Sequence, residues 1–288
     1  MAKGKLKFIV TLIVVIVAVV SAVMSSSFKD DPAIQGKMFV DFIDVGQGDC
    51  TLIRTDEAVI LIDGGEAGEA DAVIGYLKEK GVTKIDCCIA THPHSDHIGS
   101  LADVFEEFEI DTVIMPEIPE DIIPTTRTYE KFLDSVEINA KNVYPAVVGE
   151  IYKYGELKLE IFGPTQEYDD LNLMSVVAKV SYGETSVMLT GDTEIQAEED
   201  MLENEYDYNA DILKVAHHGS STSSSDGWLY VVGPEFAVIS CAIDNSYGHP
   251  HKETINKLEN NNIEYYRTDL IGTVCFESDG KNFTLANN

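Results

Sequence analysis

The hydrophobic pattern of this 288-residue chain changes character at about residue 28. Before that point, residues 8–20 form an apolar run, interrupted by one threonine, that continues weakly to residue 24, enough for a helix of about 25 Å. After a polar stretch at 28–37, short apolar runs follow one another, separated by glycine and often alternating with polar positions. The pattern predicts one N-terminal hydrophobic helix, a linker at 28–37 and a folded domain over 38–288.

Both halves of this domain begin with β-strands and continue with alternating strands and helices. In the first half we predict strands at 38–45, 50–54, 58–62, 85–90 and 112–115, and helices at 66–80, 98–108 and 126–138. In the second half we predict strands at 150–154, 157–162, 176–182, 186–190, 211–216, 236–240, 263–267, 272–276 and 282–285, with helices at 193–204 and 226–232 and one ending near 261. This order predicts an α/β fold, a four-layer αβ/βα sandwich with a cleft along the strand ends.

The N-terminal segment has the features of an export signal. Lys3, Lys5 and Lys7 precede the apolar run, and a basic flank stays in the cytoplasm, which places the domain on the outer face of the membrane. Small residues around Ala22 are typical of a signal-peptidase site. We therefore predict residues 1–27 as a signal peptide or membrane anchor. The domain is then extracytoplasmic, either secreted or anchored to the cytoplasmic membrane by residues 8–24.

The composition is strongly acidic, with 50 acidic against 20 basic residues and a formal charge of -30. The average field would repel nucleic acid or an anionic membrane surface, so binding such a partner requires a local basic patch or bound metals. The five cysteines show no CxxC spacing, and Cys87 and Cys88 face opposite ways in one apolar strand. Buried free thiols are predicted rather than disulfides.

Three histidines and a carboxylate lie within six residues directly after a predicted strand: His92, His94, Asp96 and His97. The proline after His92 disfavours a helical conformation there, so His92 and His94 should project to the same side of an extended segment. Imidazole and carboxylate groups suit zinc, iron or manganese, and two pairs of ligands so close together predict two adjacent metals. A histidine-rich surface loop is the alternative interpretation.

More side chains that can bind metals follow the ends of other predicted strands. They are His217, His218, His249, His251, Asp63 and Asp192. One cleft along the strand ends could collect all of them. For His251 and His218, a structural histidine in the core is an equal alternative.

The stretch His-Pro-His-Ser-Asp-His at 92–97 resembles the hallmark of the metallo-β-lactamase superfamily. The resemblance extends to the lactamase-like domain of bacterial DNA-uptake proteins of the ComEC type. The matching stretches are 42–49, 61–65, 189–192, 213–220, 247–250 and 267–269. They are spread over about 38–277, so the resemblance covers nearly the whole predicted domain and implies the metallo-β-lactamase fold.

The resemblance implies a ligand set for two divalent metals, with zinc favoured and manganese as the alternative. His92 and His94 would bind one metal, Asp96 and His97 the other, and Asp192 would bridge them. His217 would complete the second site, with His218 as its rival. Many members of the superfamily place another histidine before the bridging aspartate; here Asn172 is at that position and would be a weaker ligand.

The same resemblance implies a hydrolytic mechanism, in which a hydroxide bridging the metals attacks an ester or phosphoryl centre. Asp63 would orient a ligand or the water, Asp96 would help to take the proton, and His249 would protonate the leaving group or hold a phosphate. Candidates for substrate binding follow the strands of the second half: Lys214, Ser220 in the serine-rich loop 220–225, and Arg267.

These features favour an extracytoplasmic metal-dependent hydrolase, a phosphodiesterase or nuclease whose substrate could be single-stranded DNA. The acidic charge keeps a second substrate class open, a small or cell-envelope phosphodiester such as a phosphocholine-bearing polymer. A non-catalytic metal-binding or scaffold protein of the same fold is the alternative from another class. The membrane would be contacted through the N-terminal segment, and the oligomeric state stays open.

Overall fold

The structure, a computed structural model, describes residues 34–286. The predicted N-terminal helix and residues 28–33 of the linker lie outside the described residues. The strands, in chain order, are β1 (Met38–Phe42), β2 (Thr51–Arg54), β3 (Val59–Ile62), β4 (Lys84–Ile89), β5 (Glu109–Met115), β6 (Ala140–Pro145), β7 (Ile151–Tyr154), β8 (Leu157–Gly163), β9 (Val177–Tyr182), β10 (Thr185–Leu189), β11 (Ile212–Lys214), β12 (Phe236–Ile239), β13 (Glu264–Arg267), β14 (Val274–Ser278) and β15 (Phe283–Leu285).

The helices connect these strands on the outside of the domain. They are α1 (Ala70–Glu79), α2 (Ser95–Ile98), α3 (Leu101–Glu107), α4 (Arg127–Asn139), α5 (Ile195–Leu202), α6 (Asp226–Val232), α7 (Lys252–Asn260) and α8 (Thr268–Ile271), with short 3-10 turns at Ala67–Glu69 and Ala216–Gly219. Within residues 34–286, none of the helices combines the length and the apolar character needed to cross a membrane.

The strands form two mixed sheets of similar design. The first has the order β15-β14-β1-β2-β3-β4-β5-β6 and the second β13-β12-β11-β10-β9-β8-β7. Each sheet has one antiparallel part and one parallel part. The parallel part comprises β3 to β6 in the first sheet and β10 to β13 in the second. This matches the two strand-first halves predicted from the sequence, and the parallel strands direct their carboxyl ends to one edge of each sheet.

Because successive strand residues face opposite sides of a sheet, the core has one apolar region between the two sheets and one on the outer side of each sheet. The two sheets and the two outer sets of helices form four layers. In β3, Ile60 and Ile62 pack between the two sheets, whereas Leu61 faces helices α1, α3 and α4 on the outer side of the first sheet. On the outer side of the second sheet, Trp228 of α6 and Leu258 of α7 are completely buried. Each such side chain contributes about 1.5–3 kcal/mol of apolar burial, so the helices are firmly attached to the sheets.

All five cysteines, Cys50, Cys87, Cys88, Cys241 and Cys275, are buried and free of disulfides. Cys87 packs between the sheets and Cys88 against the outer helices, as alternation in one strand requires. The prediction of buried thiols rather than disulfides is therefore confirmed.

Three local predictions differ from the structure. Strand β6 was not predicted, because Ala140–Pro145 is an edge strand with mostly exposed residues and so has no buried apolar face. The predicted helix 98–108 is two helices, α2 and α3, the first starting inside the histidine motif. Strand β1 ends at Phe42, and residues 43–50 form a loop that turns toward the histidines.

Candidate metal centre

Backbone hydrogen bonds tie the loops at the strand ends to one another. The amide of Asp49 donates to the carbonyl of Asp96 at 3.1 Å, and the amide of Gly64 donates to the carbonyl of His97 at 2.7 Å. The amide of His217 likewise donates to the carbonyl of Gly191 at 3.1 Å. The first two bonds join loops of the first sheet and the third joins loops of the second. The amide of Val176, before β9, donates to the carbonyl of Thr91, after β4, at 2.8 Å and so links the loops of the two sheets.

Asp63 orients His97. The carboxylate of Asp63 lies 2.8 Å from Nδ1 of His97 and accepts hydrogen bonds from the amide and hydroxyl of Thr91 at 2.8 and 2.6 Å. Burial raises the pKa of Asp63, while His97 and Thr91 act against that rise. Since Asp63 is completely buried and both oxygens are engaged, it positions His97 rather than a substrate or a water in the cleft.

Asp49 and Ser240 hold His218 in a similar way. Nδ1 of His218 donates to the carbonyl of Ser240 at 3.0 Å and lies 3.4 Å from the Asp49 carboxylate. The other oxygen of Asp49 lies 2.8 Å from Nζ of Lys214. The pKa of Asp49 would be raised by burial, but the charges of Lys214 and His218 lower it to about 2. His218 is thereby fixed with its Nε2 atom turned toward Asp96 and Asp192.

Two consecutive left-handed residues separate the roles of the adjacent histidines. His217 and His218 have φ of 50° and 53°, which is unusual outside glycine. This turn buries the ring of His218 and leaves that of His217 partly exposed, with its Nδ1 at 3.3 Å from Glu194. The sequence alone does not decide which of the two histidines binds the metal. The geometry favours His218 as the ligand beside Asp96. Nε2 of His217 lies 3.8 Å from Asp192.

The closest set of potential ligands comprises Asp96, His97, Asp192 and His218, whose ligand atoms all lie within 4.8 Å of one another. Nε2 of His97 is 3.2 Å from Asp192, and Nε2 of His218 is 3.3 Å from Asp96 and 3.4 Å from Asp192. Nε2 of both histidines and Oδ1 of Asp192 are buried without a hydrogen-bond partner. Such atoms are costly when unsatisfied, and imidazole with carboxylate is a donor set for zinc or manganese, so these residues fit a divalent metal.

His92 and His94 form a second pair of potential ligands, also near Asp192. Their atoms Nε2 and Nδ1 are 3.0 Å apart, and Nε2 of His92 is 4.0 Å from Asp192. Burial, together with the neighbouring His97, holds the pKa of His92 well below its ordinary value, so the ring is neutral and able to bind a metal. Asp192 therefore lies close to both groups of ligands, as a carboxylate shared by two metals must.

The pKa values of Asp96 and His249 affect the catalytic roles predicted for these two residues. Burial acts to raise the pKa of Asp96, but His218 and His97 hold it well below its usual range, so Asp96 is an ionised acceptor. Burial, aided by His218 and His217, lowers the pKa of His249 to about 4. Neutral His249 is a poor proton donor to a leaving group, but its N–H can donate to a phosphate oxygen.

The ligands open onto a cleft of about 270 Å³. Its lining comprises Gln47, His94, Ser95, Asp96, Asn172, Asp192, His217, His218, Tyr247 and His249. Within the described residues 34–286, this lining contains no lysine and no arginine. A substrate phosphate would find histidine and amide donors and candidate metal sites there, but no lysine or arginine.

The three predicted substrate-binding residues lie away from this lining. Lys214 is buried against Asp49 and also donates to the carbonyl of Val215 at 2.9 Å, so it has no free face for an anion. Arg267 forms two hydrogen bonds with Asp269, at 2.9 and 2.6 Å. Ser220 is buried within its own loop, where its hydroxyl contacts that of Thr222 at 3.0 Å. For all three the structure corrects the expectation of substrate contact.

Three residues of the site carry roles that sequence reasoning did not assign. Asp49 supports His218, Gln47 lines the cleft while accepting from the amide of Ala242 at 3.3 Å, and Tyr247 stands at the cleft beside His249. The Gly-Gln-Gly-Asp sequence was the available signal for the first two. Gly48 has φ of 142°, and a Cβ there would meet the carbonyl of Asp96 at 2.3 Å, so only glycine allows this loop to approach the histidine motif.

The family model for the metallo-beta-lactamase superfamily matches residues 43–242. The chain belongs to the metallo-beta-lactamase superfamily. Members of the superfamily generally bind two divalent metals, in keeping with the two groups of potential ligands near Asp192. The resemblance expected from the sequence is thereby confirmed, and with it a metal-dependent hydrolase fold.

Two curated relatives align over most of the superfamily domain. ComE operon protein 3 from Bacillus subtilis (strain 168) is 27% identical over 265 residues, covering 85% of this chain and 34% of the relative. Competence protein ComA from Neisseria gonorrhoeae is 28% identical over 257 residues, covering 87% of this chain and 34% of the relative. The chain thus spans about a third of the length of these relatives.

A solved structure of the superfamily shares the same fold. The metallo-beta-lactamase fold protein YhfI from Bacillus subtilis superposes with a TM-score of 0.53 at 14% identity, covering 80% of this chain and 95% of that one. This likeness supports the two-sheet α/β sandwich.

Asn172 is the residue predicted to take the place of the further histidine that many superfamily members have. Its side-chain oxygen is buried without a hydrogen-bond partner, and the residue lines the cleft. An amide oxygen in this state is available to a metal or to a substrate donor. The ligand role of Asn172 stays a prediction, and its geometry is compatible with that role.

Proposed function

We propose that this domain is a metal-dependent phosphodiesterase that cleaves nucleic acid strands, single-stranded DNA in particular. The observation that carries the proposal is the buried ligand set of Asp96, His97, Asp192 and His218, three of whose members line an open cleft. The names of the two relatives add support, because one is a competence protein and the other the product of a com operon. Single-stranded DNA supplies phosphodiester bonds that fit a site built for divalent metals.

The residues that would hold the metals follow from the distances. Asp96, His97 and His218 would hold one ion and His92 and His94 the other, with Asp192 between them. Zinc fits this donor set well and manganese is the alternative. Ions bound there would supply Lewis acidity, which polarises a phosphoryl oxygen and lowers the pKa of water.

The protein's own groups would prepare the reaction around that centre. The carboxylate of Asp96 is ionised and partly exposed to the cleft, so it can bind a metal or accept a hydrogen bond from a water there. His249 is neutral and can donate a hydrogen bond to a phosphate oxygen. Asp63 and Asp49 keep His97 and His218 in place, which limits reorganisation during the reaction.

The location is part of the proposal. The three lysines before the apolar run 8–20 support export of the domain to the outer face of the cytoplasmic membrane. Residues 8–24 would then either anchor the domain or be removed with a signal peptide.

A second substrate class is favoured by one specific observation, the lack of lysine and arginine in the cleft lining within residues 34–286. Enzymes that follow a long nucleic acid backbone use a basic groove, and this chain carries a formal charge of -30. A small or cell-envelope phosphodiester, such as a phosphocholine ester, would make less demand on such a groove. The two classes share the same chemistry at phosphorus and differ in what surrounds it.

A substrate panel tests the proposal. Purified protein reconstituted with zinc or manganese is given a single-stranded DNA oligonucleotide, a chromogenic phosphocholine ester, a generic phosphodiester and a lactam. Asp96→Ala removes a proposed ligand, whereas Asp103→Ala removes a surface carboxylate that pairs with Lys131. We expect cleavage of the oligonucleotide by the wild-type protein and by Asp103→Ala, and a loss of at least about 100-fold in Asp96→Ala.

The other outcomes identify the alternatives. Cleavage of the phosphocholine ester without cleavage of DNA would assign the site to envelope phosphodiesters. Metal binding without hydrolysis of any substrate would indicate a scaffold protein. Equal activity in Asp96→Ala and wild type would remove the proposed metal chemistry altogether.

A further inference from the structure

Tyr247 is an exposed aromatic residue at the cleft that contains the candidate metal ligands. Its side chain lines that cleft, yet 63% of its surface is open to solvent. Its ring lies parallel to that of His249, with centroids 5.6 Å apart and an angle of 20° between the planes. His249 in turn stacks toward His218, at 6.3 Å and 28°. Tyr247 is therefore the outermost of three stacked rings that lead from the metal ligands to solvent.

The loop that carries Tyr247 is held in one conformation by Asn245. The side-chain oxygen of Asn245 accepts from the amides of Tyr247 and His249, at 3.2 and 3.0 Å. Its side-chain amide donates to the carbonyls of Ala242 and His249, at 2.9 and 2.6 Å. An aromatic ring on such a constrained loop loses little entropy when it contacts a ligand, which is unusual for a residue so exposed.

The cleft offers a substrate little charge-based affinity from its side chains. The described residues that line it include no lysine or arginine, and the two predicted anion-binding cations, Lys214 and Arg267, are paired with carboxylates. Apart from any bound metal, recognition must therefore come from contacts other than lysine and arginine side chains. The outer face of Tyr247 is the large flat apolar surface available for such a contact.

We propose that Tyr247 is a stacking platform for a nucleobase next to the phosphodiester that would be cleaved at the candidate metal centre. The inference rests on the proposed phosphodiesterase function and specifies its substrate as a base-bearing strand. A base is flat and stacks on an aromatic ring regardless of its identity, so one platform serves any sequence. A quaternary ammonium group, by contrast, is bound by a cage of several aromatic rings, and Tyr247 is the one phenylalanine, tyrosine or tryptophan in the described lining.

Binding tests the platform independently of hydrolysis. A fluorescein-labelled thymidine octamer with phosphorothioate links, which resist cleavage, is compared by anisotropy with an abasic octamer of the same backbone. Stacking of one base is expected to make the wild-type protein bind the thymidine octamer about 5- to 150-fold more tightly. Tyr247→Leu should abolish that preference, Tyr247→Phe should keep it, and Tyr230→Leu, at an exposed tyrosine of α6, should behave as wild type.

Several results would overturn the platform. These are equal binding of the two octamers by the wild-type protein, an equal loss for both in Tyr247→Leu, or competition by phosphocholine but not by thymidine monophosphate. Hydrolysis is measured separately, on unmodified versions of both octamers. If neither octamer is cleaved but the base preference depends on Tyr247, the proposed function fails and the platform stands. If both are cleaved at equal rates by wild type and Tyr247→Leu, the function stands and the platform fails.

Discussion

Replacing Lys214 by methionine should destabilise the protein without an effect specific to substrate binding. The ammonium group is buried, lies 2.8 Å from the Asp49 carboxylate, and is separated by that carboxylate from the candidate ligand His218. Methionine has a similar length and fits an apolar environment, so the substitution removes the charge and leaves the volume nearly unchanged. Asp49 is then left as a buried carboxylate with one charged partner fewer.

The expected magnitude follows from this geometry. At 2.8 Å and an effective dielectric constant of about 20, the attraction between the two charges is about 6 kcal/mol before desolvation is considered. Removing one member of a buried pair destabilises proteins by about 3–5 kcal/mol, out of a total of about 5–15 kcal/mol. Urea unfolding in the presence of a chelator, which removes any contribution from metals, measures the loss directly.

Two controls make this result decisive. Lys131→Met removes an exposed ammonium group 2.7 Å from Asp103, and it should cost less than about 1 kcal/mol. The double variant with Asp49→Asn and Lys214→Met should be more stable than Lys214→Met alone, because no unpaired charge remains. A loss below about 1 kcal/mol in Lys214→Met, combined with a raised KM for phosphodiesters, would refute the reasoning and restore Lys214 as an anion-binding residue.

The same pair also sets a pH dependence. Asp49 has a pKa of about 2 in the folded protein against an ordinary 3.8, so its ionised form is favoured by folding. The stabilisation is complete above about pH 4 and is lost as the pH falls toward 2. In Lys214→Met the pKa of Asp49 rises, and this component of acid unfolding should begin at a higher pH. Unfolding curves of the two proteins between pH 2 and 6 that differ by a constant free energy would contradict this account.

Three further predictions concern the site itself. His218→Ala should lose most of the bound metal, measured by mass spectrometry after dialysis, whereas His217→Ala should keep it; the reverse order would transfer the ligand role to His217. Asp63→Asn should weaken metal binding by about 10–100-fold, because His97 loses its charged partner, and unchanged affinity in a calorimetric titration would deny Asp63 its positioning role. Because the described lining has no lysine or arginine, KM for a short oligonucleotide should rise less than about fourfold between 50 and 200 mM salt, and a steeper dependence would reveal a basic contact elsewhere.

The parts of the site that sequence reasoning could predict are those coded by short local patterns. The motif from His92 to His97 follows a buried strand and brings its ligands together within one turn, so neither its position nor its chemistry depends on distant contacts. Asp192 could be placed because Gly-Asp after an apolar strand is equally local. The two-sheet arrangement was predictable for a similar reason, since both halves repeat the same order of strands and helices.

The remaining features depend on contacts between distant segments. Lys214 has the appearance of an anion-binding cation until the loop 43–50 brings Asp49 against it. The choice between His217 and His218 depends on two left-handed backbone conformations, which no side-chain pattern encodes. The role proposed for Tyr247 depends on the ring of His249, which lies parallel to it in the folded loop. In each case the residue is evident from the sequence, but the contact that defines its role is evident only from the tertiary structure.

The central claim, that the chain is a hydrolase working through metals held around Asp192, is tested most directly by a metal titration. Protein stripped with a chelator is titrated with zinc or manganese while bound metal and cleavage of a single-stranded oligonucleotide are followed in the same samples. The account predicts no activity in the stripped protein, a rise to a plateau near two equivalents per chain, and neither activity nor stoichiometric binding in Asp192→Ala. Full activity in the stripped protein, or saturation with less than one equivalent of metal, would contradict it.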